Sequence, residues 1–243
     1  MGKVFLSGVV PLLKAPITGI LAGDLAVGST VKLMENGTAT EYLVVNQGKP
    51  SGSSLYDTSC DGTWLLRKDI YENRQWHSSN SNAYANSTIH SYLNSTFLNL
   101  FEADIKAQIK QVKIPYVNGT GSSAVASGAS GLSAKIFLLS GYEVGFTTSD
   151  NSYFPVDGAK LSYFENGTGT SALNKRIAYL NGSATYWWLR SPRTSVTNRA
   201  WGVLSNGNYD GYSCSGSYGV RPALVLPKTA LFDNTTMILK GTA

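Results

Sequence analysis

The chain has 243 residues, is 42% hydrophobic and holds 25 glycines, yet only 14% of it is charged, well below the roughly one quarter usual for globular domains. Its net charge of +5 comes from Lys and Arg scattered along the sequence, without the concentrated patch or stripe of a nucleic-acid binder. Cys60 and Cys214 lie too far apart and are too few for a disulfide scaffold or a spaced metal site, and no apolar run is long enough for a membrane helix.

This length can bury a core as one large domain, or as one domain with a small appendage. Polarity is carried by Ser, Thr, Asn and Gly, the composition of short strands joined by many turns. Both cysteines read as free thiols of a chain made in a reducing cytoplasm. The apolar opening from Val4 to Leu13 is interrupted by Pro11 and followed by Lys14, so it makes a poor signal peptide.

Residues 1–28 read as an extended N-terminal assembly arm, punctuated by Gly8, Pro11, Pro16 and Gly19. Such an arm suits strand addition to a neighbour or another subunit. The remainder, 29–243, reads as one domain. Val31 to Leu33 and Glu41 to Asn46 flank Asn36-Gly37, which predicts a hairpin with a type I′ turn. Residues 47–62 are a loop, and Trp64 to Asp69 resume an apolar strand or short buried segment.

A helix is predicted after Asn86 or Ser87, because Ile89, Tyr92, Leu93, Phe97, Leu100 and Phe101 share one face. A second short helix covers Ala103 to about Lys110, with Ile105, Ile109 and Val112 inward. Residues 118–131 form a Gly/Ser/Ala-rich loop before the buried strand Ile136-Phe137-Leu138-Leu139. Ser140 and Glu143 have the spacing of a capping box. From there to Asn181 the chain is loop-rich, with short strands at most. The order gives an α+β fold class with high loop content, and irregular backbone of this extent is normally functional.

The last third is the most distinctive. Tyr186-Trp187-Trp188-Leu189-Arg190-Ser191-Pro192 and Gly219-Val220-Arg221-Pro222-Ala223-Leu224-Val225-Leu226 are stiff and apolar. Between them, residues 193–218 are almost entirely Ser, Thr, Asn, Gly and Tyr, with Trp201 and two arginines added and a hairpin predicted at Asn206-Gly207. That is the composition of a paratope, in which rigid aromatics supply contact area and small polar residues supply adaptable hydrogen bonds.

The two flanking blocks resemble the C-terminal signature of C-type-lectin-fold domains, and are most similar to the formylglycine-generating-enzyme-like branch found in bacteria and phages of the gut. Trp64-Leu65-Leu66-Arg67, the stretch from Tyr71-Glu72-Asn73 to Tyr92-Leu93-Asn94 and Ile136 to Ser140 also look like that group. The resemblance covers about residues 30 to 228. It implies a C-type lectin fold with two helices and short antiparallel strands. Many such proteins sit in phage tails, and some are the variable proteins of diversity-generating retroelements, which rewrite adenine-containing codons in one C-terminal segment. Residues 193–218 lie where that variable segment would fall.

On this reading the chain is a phage-tail adhesin of the virion, made in the host cytoplasm and acting outside the cell. It would bind a bacterial surface protein or glycan receptor, contact other tail proteins and form a homo-oligomer, with a trimer suggested by the tail analogy. No nucleic acid, membrane insertion, cofactor or metal is implied. The alternatives are a non-catalytic virion structural or decoration protein and a bacterial surface adhesin.

The expected display surface is Arg193, Ser195, Asn198, Arg199, Trp201, Asn206, Asn208, Tyr209, Tyr212, Ser213, Cys214, Ser215 and Tyr218. Arg193, Arg199 and the tyrosines are expected to face solvent, while Trp201 fits a surface anchor and a core residue equally well. Trp187, Trp188, Arg190, Pro192, Arg221 and Pro222 are the expected scaffold anchors, the two arginines satisfying buried carbonyls or carboxylates. Formylglycine-generating enzymes bind copper through a pair of nearby thiolates; only Cys214 lies in the matching region, and the motif is missing. His77 and His90 show no ligand spacing, and the chain is read as non-enzymatic. Asp210 with Asn206 and Asn208 is thin for a calcium site and fits turn geometry better.

Overall fold

The computed structural model describes residues 18–50, 54–165 and 167–241. Mixed strand and helix build an α+β fold around two five-stranded sheets. The first sheet runs, in spatial order, Ile136–Phe137, Ala223–Leu226, Thr63–Arg67, Thr38–Gln47 and Thr30–Glu35, all antiparallel. Its central strands read as continuous apolar runs because both faces are covered; Trp64, Leu65, Leu66 and all of Ala223–Leu226 are fully buried. Asn36 and Gly37 both take positive φ (46° and 75°) and join Glu35 to Thr38. These are the backbone angles that a type I′ turn requires.

The second sheet runs Tyr209–Ser213, Arg199–Val203, Trp187–Pro192, Ser217–Gly219 and Asn73–Gln75. Its pairings are antiparallel except where Trp187 lies parallel to Gly219. All six residues of Trp187–Pro192 are buried. This strand is thus the seam between the core and the segment that follows it.

The first helix starts where its cap predicts, with Ser87 Oγ accepting from the His90 amide at 3.1 Å. Thr88–Tyr92 is α-helical, Leu93–Phe97 widens into a π turn and Leu98–Leu100 tightens to 3-10. Asn94 sits in the widened turn and is fastened to the first sheet. Its amide donates to the Ile136 carbonyl at 2.8 Å, and its oxygen accepts from the Lys135 amide at 2.9 Å. Ile89, Leu93, Phe97 and Phe101 are buried, and Tyr92 and Leu100 are half-buried at the edge of the same stripe. The second helix is Ala103–Gln108, with Ile105, Ile109 and Val112 inward.

Two expectations are corrected. The segment assigned to the arm does not stay apart: Ile20–Leu21 pairs with Leu231–Phe232, and Ala22 and Leu25 enter the core. Residues 1–17 of that arm lie outside the described residues. The region read as loop also contains helices Ser162–Glu165 and Gly169–Arg176. The latter lacks an apolar stripe and is held by its polar end. Arg176 Nε donates to the Val144 carbonyl at 2.8 Å, and its guanidinium lies 4.0 Å over the Phe146 ring. A period search finds no such helix, because tertiary contacts rather than amphipathicity fix it.

The core is keyed by Arg190, which is fully buried. Its five N–H groups all have acceptors: Nε on the Pro115 carbonyl (3.0 Å), Nη1 on the Leu138 carbonyl (2.9 Å) and Glu143 Oε2 (2.5 Å), Nη2 on Glu143 Oε1 (2.7 Å) and the Asp157 carbonyl (3.0 Å). Glu143 closes the predicted capping box. Its amide donates to Ser140 Oγ at 3.1 Å, and its Oε2 accepts from the Ser140 amide at 2.9 Å. Tyr56 donates to the remaining side of that carboxylate at 2.8 Å. A buried pair survives only when its remaining lone pairs and protons are satisfied, and this network does that.

Candidate ligand-binding face

Residues 193–218 leave the buried Trp187–Pro192 strand as a loop and return as a hairpin, Arg199–Val203 against Tyr209–Ser213. The connection is the predicted one. Gly207 has φ +83°, and a Cβ there would lie 2.1 Å from the Leu173 carbonyl oxygen. Glycine is therefore required both for the turn and for the close approach of its tip to helix Gly169–Arg176.

The loop at 193–199 is fixed through its backbone. Asn82 is fully buried, and the two N–H groups of its Nδ2 are shared among the carbonyls of Val196 (2.8 Å), Arg199 (3.0 Å) and, at longer range, Arg193 (3.3 Å). Its oxygen accepts from the Thr120 amide, and its own amide donates to the Thr197 carbonyl at 2.9 Å. Further along, Asn80 Oδ1 accepts from Ser213 Oγ (2.8 Å) and the Ser215 amide (3.2 Å). Because the Asn82 contacts use main-chain groups of residues 193–199, the side chains of Ser195, Thr197 and Asn198 remain exposed, as does Arg199, whose Nη1 reaches the Gly211 carbonyl.

The residues grouped together by sequence do not form one patch. Ser195, Asn198, Arg199 and Ser215 are exposed at one end of the hairpin, and Asn206 and Asn208 at the other, separated by a five-residue strand of about 17 Å. Arg193 is half-buried, with its guanidinium 5.2 Å from the Tyr153 ring centroid and 5.6 Å from that of Trp201. Tyr209, Tyr212, Ser213 and Tyr218 are also half-buried. Tyr209 donates to the Asp150 carbonyl at 2.5 Å. Tyr212 packs at 4.4 Å from Tyr218 and stacks at 5.7 Å on Tyr186, which is partly exposed.

Two expected display residues are corrected. Trp201 is a core residue, 2% exposed, stacked at 4.2 Å on Phe154. Cys214 is fully buried, because its amide pairs with the Asn198 carbonyl and its side chain joins the apolar cluster that contains Trp188 and Tyr84. Burial pushes its thiol up to about 12 and that of Cys60 up to about 11. The two thiols lie in separate clusters.

The scaffold anchors are all buried. Trp187 Nε1 donates to the Arg176 carbonyl and Trp188 Nε1 to the Arg74 carbonyl, each at 2.9 Å. Asp210 accepts from the Gly211 amide and Asn206 from the Asn208 amide, so their oxygens shape the backbone of the hairpin. Among the described residues there is no group of three or more His, Cys, Asp or Glu side chains able to hold a metal.

Sequence reasoning missed Asn82, Asn80, Tyr153, Phe154 and Tyr186 as parts of this face. Asn80 and Asn82 lie in a Ser/Asn-rich stretch whose composition is that of any loop. Tyr153-Phe154 carried a signal, because two adjacent aromatics in a polar loop call for a packing partner.

No curated protein and no solved structure matches the chain. A family model matches residues 61–228, from just before the Thr63–Arg67 strand to just after Ala223–Leu226 and so across the whole face described above. The chain belongs to the family described as Domain of unknown function (DUF6273).

Proposed function

We propose that this protein is a receptor-binding adhesin of a phage tail, displaying residues of the 193–218 segment on a C-type lectin scaffold. The observation that carries the reading is the way Asn82 holds the segment. A loop fixed through three carbonyls keeps its path whatever side chains it bears. Exposed positions 195, 197, 198, 199 and 215 at the clamped end of the hairpin, with 206, 208 and 210 as a separate group toward its turn, are then the ligand-facing positions. Trp201, Cys214 and Gly211 belong to the frame. Tyr186 and Tyr218 add rigid aromatic area to an open cleft of about 310 Å³, which Asn73, Thr185 and Ser217 also line.

The receptor is a bacterial surface protein or glycan, and repeated copies on a tail would supply avidity to contacts that are individually weak. Rewriting of the segment by a retroelement fits a frame that separates backbone support from side-chain identity. The test is a library randomised at Ser195, Asn198, Arg199, Asn206, Asn208 and Ser215, compared with one randomised at Trp187, Trp188 and Leu189. The first is expected to fold in most members and to yield binders on selection; the second is expected to fold rarely. Equal loss of folding in both libraries contradicts the reading.

A further inference from the structure

The chain has two deeply buried arginines near its C-terminal blocks, and they are treated oppositely. Arg190 has an internal carboxylate and an acceptor for every N–H. Arg221 is 1% exposed, yet no carboxylate pairs with it among the described residues. Its Nε and Nη2 donate to the carbonyls of Arg67 (3.0 Å) and Lys68 (2.9 Å), and Nη1 only reaches the Arg176 carbonyl at 3.5 Å. A guanidinium has five N–H donors, so two are left over. The Trp187 ring, 4.9 Å away, covers one face.

A cavity of about 170 Å³ has Arg221 in its lining, far larger than the roughly 15 Å³ that lodging one water requires. Its charged lining is Arg221, Lys68 and Lys175 against the single carboxylate of Asp69, with Asn174 and Tyr163 as neutral polar partners. Lys68 is already paired with Glu41 at 2.7 Å. Among the described residues no carboxylate pairs with Lys175; its Nζ donates to the Tyr163 carbonyl at 2.8 Å, leaving two of its three N–H groups. An uncompensated buried charge is costly, and burial holds Arg221 down at about 10. The planar fork of arginine matches carboxylate and phosphate oxygens.

We propose that this cavity, formed by Arg221, Lys175, Lys68 and Asn174, binds a small oxyanion, a carboxylate or a phosphate group, as the missing partner of Arg221. The site uses none of residues 193–218 and stands or falls independently of the display face.

The test is titration of the intact protein with inorganic phosphate and, separately, with acetate at constant ionic strength, followed by calorimetry and by amide chemical shifts. Saturable binding of at least one anion is expected, with shifts confined to residues near 68–69, 174–175 and 221. Phosphate alone assigns a phosphate site; acetate alone assigns a carboxylate site. Lys175→Gln, at a half-buried position in the last turn of helix Gly169–Arg176 where Gln can still donate to the Tyr163 carbonyl, is expected to weaken binding roughly tenfold, whereas Lys110→Gln, outside the cavity lining, leaves it unchanged. No saturable binding of either anion, or binding that Lys175→Gln does not weaken, overturns the proposal.

Discussion

Arg190 and Glu143 meet head-on in the core, Nη1 to Oε2 at 2.5 Å and Nη2 to Oε1 at 2.7 Å, with neither side chain exposed. Ser191 and Pro192 follow this arginine directly, and then comes the loop at 193–199. The geometry of the pair therefore sets where that loop leaves the frame. Replacing Glu143 with Gln strands a buried cation, and the expected loss is roughly 3–5 kcal/mol. Urea denaturation checks it; a loss under about 1 kcal/mol would mean that the pair is not what keys the core.

Asp157 gives the fold a pH dependence. Burial raises its carboxyl to about 7, against the opposing pull of Arg190 and the Ser191 hydrogen bond, and its Oδ1 has no hydrogen-bond partner among the described residues. The folded chain then holds a proton that the unfolded chain releases near its ordinary value of 3.8. Stability from this group is full below about pH 4 and declines as pH rises toward 7, by up to ~1.4 kcal/mol per pH unit. His90, lowered by burial, contributes with the opposite sign near its own range. The difference between wild type and Asp157→Asn isolates the carboxyl: melting temperatures across pH 4–8 should show the decline in wild type and its absence in the variant.

Asn82→Ala removes the clamp on residues 193–199. A buried group left without its partner costs about 1–3 kcal/mol, and the loss should be local. Hydrogen exchange is expected to speed up at Arg193, Val196 and Asn198 while amides of Trp187–Leu189 stay protected. Uniform acceleration across the second sheet would show that Asn82 supports the whole frame instead.

Trp201 separates the two classes of residue. Trp201→Ala should cost roughly 3–5 kcal/mol, like Trp188→Ala, because its ring is sealed against Phe154. Asn198→Ala and Asn208→Ala should stay within about 0.5 kcal/mol of wild type. Thermal and chemical denaturation of the four variants would contradict the division if the asparagine changes proved as damaging as the tryptophan ones.

Neither thiol should be reactive in the folded protein, because the thiolate is the nucleophile and burial raises both groups to about 11 or 12. Iodoacetamide at pH 8 is expected to label neither Cys60 nor Cys214 until the chain is unfolded. Stoichiometric labelling of the native protein would place one of them at the surface.

What could be read from the sequence was whatever rests on local chemistry. Asn36-Gly37 and Asn206-Gly207 announce their turns, Ser87 its helix and Ser140 with Glu143 their reciprocal cap. The apolar blocks at 187–192 and 223–226 announce burial. What could not be read depends on partners distant in sequence. Trp201 becomes core because Phe154 lies across from it, and helix Gly169–Arg176 exists because Arg176 finds Val144 and Phe146. Asn82 becomes a clamp only when the chain brings residue 193 to it. Residues 193–218 were identifiable as a distinct segment by composition, but which side chains face outward follows from the strand register, and composition carries no register.

The central claim is that the exposed side chains of the 193–218 segment are free to vary on a frame, Gly207, Trp201, Gly211 and Cys214 included, that is not. The most direct measurement is sequencing of this gene's 3′ end across a natural population of its source genome. The account predicts substitutions concentrated in codons 193–218, dense at 195, 198, 199, 206, 208 and 215, and absent from Asn82, Trp187–Leu189 and Ala223–Leu226. Enrichment at adenines would add the retroelement. A substitution rate no higher in codons 193–218 than in the codons of the two sheets would contradict the claim.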